Sequence, residues 1–171
     1  GGSEVALRCQ EMMNLGFQVA GLLDHDDNSV QKAVDKARGA GVPILQWDQG
    51  NNTESQICSS LSWSMLEEFI KIGVDCRSGE TTVLTDLHKA GLPGGQKSLE
   101  MESWRKSGLT IETARSIVAQ AANKSEWFKN IDSGKILGEW LTARSKSSEL
   151  GGVWTVLNRV QEFIYSDIEE G

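Results

Sequence analysis

Two short apolar runs, residues 17–23 (FQVAGLL) and 42–47 (VPILQW), constrain the fold more than any other feature. Both are apolar at nearly every position rather than at every second one. That is the pattern of a strand covered on both faces, as in a parallel sheet flanked by helices. The residues between them, 29–38, read as a helix closed by Gly39 and Gly41. The three segments make a β-α-β unit, for which a right-handed crossover is expected. Ahead of it, Ser3 is placed to N-cap a helix running to Leu15, with Gly16 as its stop.

Beyond Gly50 the strand signals fade. Thr53 is placed to cap a short helix through Ser60. Ser62 is placed to cap WSMLEEFIKIG, whose apolar face carries Trp63, Leu66, Phe69 and Ile70. Residues 81–90 read as a helix, and GLPGGQKS at 91–98, with its proline and three glycines, reads as a linker. Helices are expected at 110–122, capped by Thr110, and at 133–145 and 152–166. In the last, Val153, Val156, Leu157, Val160, Phe163 and Ile164 form a stripe of core type. The fold class is thus α/β in front and helical behind, with domains expected at 1–91 and 92–171. Two strands do not make a stable sheet alone. Further strands must lie in segments read as something else, or the chain is a piece of something larger.

A chain of 171 residues allows one ordinary domain, or one with a helical appendage. No apolar run approaches the roughly 20 residues of a membrane span, and no secretory signal opens the chain. A cytoplasmic location is the expectation. Cys9, Cys58 and Cys76 are odd in number and far apart, without CxxC spacing, so reduced thiols are expected rather than a disulfide framework or a zinc site. With His25 and His88 as the only histidines, a histidine-rich metal site or a Ser-His-Asp triad is hard to assemble. The net charge of −7 argues against nonspecific coating of nucleic acid. The charge is uneven, however: the first half is acidic and residues 87–146 are mildly basic.

Open parallel sheets bind ligands beyond the carboxyl ends of their strands. Asp24, His25, Asp26 and Asp27 follow the first strand there. Alternation puts Asp24 and Asp26 on one side. A carboxylate pair so placed can share a hard cation such as Mg²⁺. The plainer alternative is that Asp26 or Asp27 caps the next helix and the others are solvated. The second strand leads through WDQGNNTE to Glu54 in the next helix's first turn. Neighbouring strands lie about 4.8 Å apart, so Glu54 or Asp48 could approach the pair. Otherwise Glu54 serves the helix dipole and Asp48 a turn. In SEWFKN, Trp127 and Phe128 could anchor the segment while Lys129 points outward, as a cation for phosphate or as a plain surface lysine.

In order and spacing, NLGFQVAGLLDHDD, GVPILQWDQGNNTESQICSSLSW and ANKSEWFKN resemble the nuclease half of OLD-family (overcoming lysogenization defect) proteins, over about residues 4–166. The catalytic domain of that family is a Toprim fold, a Rossmann-like parallel sheet. The resemblance implies a metal-dependent DNA endonuclease using Mg²⁺ or Mn²⁺ in a two-metal phosphodiester hydrolysis. By the same resemblance Asp24 and Asp26 match the Toprim DxD, Glu54 matches the acidic residue after the next strand, and Lys129 matches the lysine that assists at the scissile phosphate. Asp24, Asp26 and Glu54 are then the metal ligands. The implied partners are DNA and an N-terminal ABC-type ATPase region of the same parent chain. A homodimer is left open, and no membrane is involved. The chain departs from the pattern at its start, where no strand leads into a Glu-Gly motif before Glu4, and nowhere does it hold GxxxxGK[ST]. The resemblance therefore implies a partial Toprim lacking its first strand, followed by a helical region carrying the WFK motif. Two other readings stand beside it. One is a non-catalytic DNA- or protein-interaction module attached to an ATPase. The other is a DxD phosphatase of the haloacid dehalogenase type, from which DHDDNS departs by lacking the usual Thr or Gly-Thr.

Overall fold

A computed structural model describes residues 2–165. In chain order its elements are α1 (Gly2–Asn14), β1 (Gly21–Leu23), a 3-10 turn (Asn28–Val30), α2 (Gln31–Gly39), β2 (Ile44–Gln46), α3 (Thr53–Cys58), α4 (Trp63–Cys76), α5 (Glu80–Lys89), α6 (Met101–Lys106), α7 (Ile111–Lys124), α8 (Ile131–Ala143), a second 3-10 turn (Ser148–Leu150) and α9 (Gly151–Tyr165). The fold is mixed α/β, mostly helical, with one two-stranded parallel sheet among the described residues. Packing divides the chain into two compact units, Gly1–Gln56 with Gly152–Gly171, and Ile57–Gly151. This division runs elsewhere than the sequence boundary expected between 91 and 92.

The first unit is the α/β part. Its sheet pairs Gly21 with Ile44, Leu22 with Leu45 and Leu23 with Gln46. Ala6 and Cys9 of α1, Val34 and Ala37 of α2, and Val42, Leu23 and Ile44 form its core. Gly21 lets α1 approach the sheet closely, since a Cβ there would stand 2.9 Å from Ile44 Cδ1 and 3.4 Å from Cys9 Sγ. The first strand is shorter than the apolar run predicts. Only its last three residues have a partner in the ladder, and Phe17 is 56% exposed. An apolar run marks a strand only as far as another strand lies beside it. Helix α1 begins at Gly2, so Ser3 sits inside it instead of capping it. Its end is as expected: Gly16 takes φ +87°, and the N–H groups of Gly16 and Phe17 close on Met13 O and Met12 O. In α9, Val153 and Val156 are buried, but Ile164 of the expected stripe is 58% exposed. Ser166, the last residue of that expected helix, lies outside the described residues.

The second unit is helical. The Ser62 hydroxyl accepts from Met65 N–H to start α4, and the Thr110 hydroxyl accepts from Thr113 N–H to start α7, both as the sequence predicts. Its centre is aromatic. Phe69 lies 6.5 Å from Trp127, 5.2 Å from Phe128 and 6.0 Å from Trp140, centroid to centroid. Trp127 packs so closely on α4 that a Cβ at Gly73 would come within 2.5 Å of its ring. The buried carboxylate of Asp86 accepts from Trp127 Nε1 at 3.1 Å and from Arg77 Nε at 3.3 Å. Residues 91–98 are no linker between units. They lie inside this one, with Leu92 and Gln96 buried. Gln96 Oε1 accepts from Ser103 Oγ, and Ser98 O accepts from Trp104 Nε1. These bonds belong to α6, a helix for which the sequence reading made no provision. No described helix is long and apolar enough to cross a membrane. Cys9, Cys58 and Cys76 form no disulfide, and Cys9 and Cys58 are buried.

Candidate functional site

Two loops leave the carboxyl ends of the strands, 24–27 after β1 and 47–52 after β2. Their backbones are tied to each other. His25 N–H donates to Asn51 O at 2.8 Å, and Gly50 N–H donates to His25 O at 2.9 Å. Gly50 takes φ +88°, a left-handed turn that suits glycine. Gln56, 1% exposed, ties the second loop to itself. Its Oε1 accepts from Asp48 N–H and Asn51 Nδ2, and its Nε2 donates to Asp48 Oδ2.

On this frame each carboxylate has a defined partner. Asp24 Oδ1 accepts from both the N–H and the hydroxyl of Thr53, at 3.0 and 3.1 Å. The Thr53 hydroxyl in turn accepts from the indole N–H of buried Trp47 at 2.9 Å. Asp26 Oδ2 accepts from Asn52 Nδ2 at 3.4 Å, a long bond. Asp27 caps the 3-10 turn by accepting from Ser29 N–H at 2.8 Å. The Ser29 hydroxyl first, and its backbone N–H second, hold the Asp27 carboxyl below the usual aspartate range, because hydrogen bonds to it favour the charged form. Of the expectation that Asp26 or Asp27 caps the following helix, the structure keeps a cap by Asp27 on the 3-10 turn that leads into α2, while α2 itself, with Val30 at its N-cap position, has no side-chain cap.

Asp24, Asp26 and Asp27 all line one solvent-open cavity of about 450 Å³, walled by Val30, Trp47 and Thr53. The structure thus brings the two DxD carboxylates to one concavity at the strand ends. Glu54 stands in the first turn of α3, half-buried, and is not among the residues that wall this cavity. Thr53 occupies the place beside Asp24. It is the first residue of α3, and the cap expected of it is made by Asn52, whose Oδ1 accepts from Ser55 N–H. Among the described residues no three or more His, Cys, Asp or Glu side chains gather to hold a metal ion. Lys129 belongs to the second unit, where its exposed ammonium pairs with Glu126 at 2.8 Å. The pairing holds the Glu126 carboxyl below its usual range. Trp127 and Phe128 anchor that segment as the sequence predicts.

The residues that sequence reasoning missed are Trp47, Asn52, Thr53 and Gln56. One signal for them was present: WDQGNNTESQ holds six amide and hydroxyl side chains in the ten residues after the strand, far more donors than a solvated turn needs. No family model matches the chain, and no curated protein or solved structure does either.

Proposed function

We propose that this chain is the Toprim-like portion of an OLD-family nuclease, acting on the phosphodiester backbone of DNA with Mg²⁺ or Mn²⁺ held by Asp24 and Asp26. One observation carries the reading: both carboxylates line a single cavity at the carboxyl end of a parallel strand pair. The donor chemistry fits such an ion. Mg²⁺ is commonly held by one or two carboxylates and completes its octahedron with water and substrate phosphate. When bound, the ion polarises a phosphoryl oxygen and lowers the pKa of a coordinated water. The chain's own residues hold the carboxylates ready. Thr53 fixes Asp24 through Oδ1, and Asn52 steadies Asp26 more loosely. Glu54 as a third ligand and Lys129 as the phosphate-neutralising cation rest on the resemblance alone. Base identity is not read by such a set, since the ion and the lysine address the backbone.

A second reading has its own observation. Asp24, Asp26 and Asp27 each already serve a local structural partner, as the carboxylates of a non-catalytic interaction module attached to an ATPase would. Titration of the full chain with Mn²⁺, followed by calorimetry, separates the two. The nuclease reading expects saturable binding that Asp24→Asn and Asp26→Asn each weaken by about tenfold or more, one lost charge–ion contact costing at least 1.4 kcal/mol. It also expects nicking of supercoiled plasmid in Mn²⁺ that Asp26→Asn abolishes. The absence of saturable Mn²⁺ binding overturns the nuclease reading in favour of the module.

A further inference from the structure

Alternation that brings Asp24 and Asp26 to the acidic cavity sends His25 to a different one. This second cavity, of about 240 Å³, lies in the same unit, and Trp47 lines both. Its polar wall is made by His25, Gln31, Arg38, Gln46 and Arg159, and its apolar wall by Ile44 and Val156 among others. Among the described residues no aspartate or glutamate lines it, although the chain as a whole is acidic.

Several donors here have no protein acceptor among the described residues. Arg38 directs Nε and Nη2 at Ile44 O, at 3.2 and 2.9 Å. A guanidinium carries five N–H donors in one plane, so this anchoring fixes the plane and leaves the Nη1 hydrogens over. Arg159 comes from α9. Neither arginine forms an ion pair among the described residues. Gln46 Nε2 is buried and has no hydrogen-bond partner among them. A buried donor left unmatched destabilises the fold, and native structures seldom keep one without cause. His25 Nδ1 lies 3.2 Å from Trp47 O, and since a carbonyl only accepts, Nδ1 carries the proton.

We propose that this cavity binds a phosphate group. Two guanidiniums without carboxylates balance the charge of about −1.5 to −2 that a phosphate monoester carries at neutral pH. A phosphate's several oxygens also outnumber those of a carboxylate, which suits arginines reaching in from α2 and α9 together with the unmatched amide. The volume falls below the roughly 300–1,000 Å³ of drug-sized sites, so the occupant is compact: free phosphate or a small phosphate monoester. The site is separate from the acidic cavity and needs no metal.

The test is calorimetric titration of the full chain, at constant ionic strength in excess chelator, with inorganic phosphate, adenosine 5′-monophosphate and adenosine. The expected result is saturable one-to-one binding of the phosphate-bearing probes and none of adenosine. Equal affinity for both phosphate probes identifies free phosphate as the occupant, and tighter binding of the nucleotide identifies a monoester. Arg159→Ala should weaken binding about tenfold, as loss of one charge-assisted contact does. Gln46→Leu should weaken it several-fold without lowering the melting temperature, because no protein hydrogen bond is lost. The Asp24→Asn/Asp26→Asn double variant should bind phosphate as the parent does, which keeps this result independent of the metal reading. Four outcomes overturn the proposal: no saturable phosphate binding, equal binding of adenosine, affinity unchanged in both Arg159→Ala and Gln46→Leu, or affinity lost in the double aspartate variant.

Discussion

The two units place their polar side chains in opposite ways. In the helical unit the key polar contact is at the centre, where Asp86, 4% exposed, receives the indole of Trp127 and the guanidinium of Arg77. It locks an aromatic ring and is shielded from solvent. In the α/β unit the polar contacts sit at the strand ends. There a three-pair ladder is extended by side-chain bonds that join Trp47 and Asp24 to Thr53, Asn52 to Asp26 and Gln56 to Asp48. A sheet this small cannot fix its loops by strand pairing, so side-chain bonds do it together with the two backbone bonds at His25. In the helical unit order comes from packing. In the α/β unit the bonds that order the loops also shape the candidate site.

The contrast can be broken by four substitutions, in falling order of effect. Trp127→Ala empties the aromatic centre and takes from the Asp86 carboxylate one of its two donors, leaving Arg77. It should cost about 3–5 kcal/mol, with loss of amide hydrogen-exchange protection in α4, α5 and α7. If protection in those helices is retained, packing is not what orders that unit. Gln56→Leu leaves Asp48 and Asn51 groups without partners and should cost about 1–3 kcal/mol. Mass-spectrometric exchange should place that loss at residues 47–56. Thr53→Val keeps the shape but removes a hydroxyl that both accepts from Trp47 and donates to Asp24, at a cost of about 1 kcal/mol. Its readout is a shifted Trp47 indole N–H resonance, and an unmoved resonance would remove the relay from the comparison. Asp27→Ala has the smallest effect and shows itself through pH. The folded-state pKa of Asp27 is depressed, so its contribution is present above the ordinary aspartate value and lost as pH falls through the lowered one. The difference in urea midpoint between parent and variant should therefore shrink on acidification through that window. A difference that is constant with pH would show that the Ser29 contact is not the cause.

Much of this was legible in the sequence where a rule is local. The caps of α4 and α7, the Gly16 stop and the succession β1, α2, β2 follow from residue type and period, which act within one turn or one strand. The DxD pair could be placed at a strand end for the same reason. The failures share a cause. Phe17–Ala20 look like strand, but a strand needs a neighbour, and apolar composition does not report one. The 91–98 segment looks like a linker because its prolyl-glycyl chemistry is that of a turn. Its burial depends on Ser103 and Trp104, which lie further along the chain. Thr53 was read as a cap for its own helix, whereas its hydroxyl and N–H serve Asp24, 29 residues earlier. Contacts over such separations leave no periodicity to read.

The main chain at position 25 is fastened on both sides to a single neighbouring loop, by its N–H to Asn51 and by its carbonyl to Gly50. It works as a clamp set between the two acidic side chains. Their spacing is held by peptide groups that every amino acid except proline supplies in full. Residue 25 can therefore be exchanged for a spectroscopic label while the acids on either side keep their separation, whereas a proline there would remove the N–H and release one jaw.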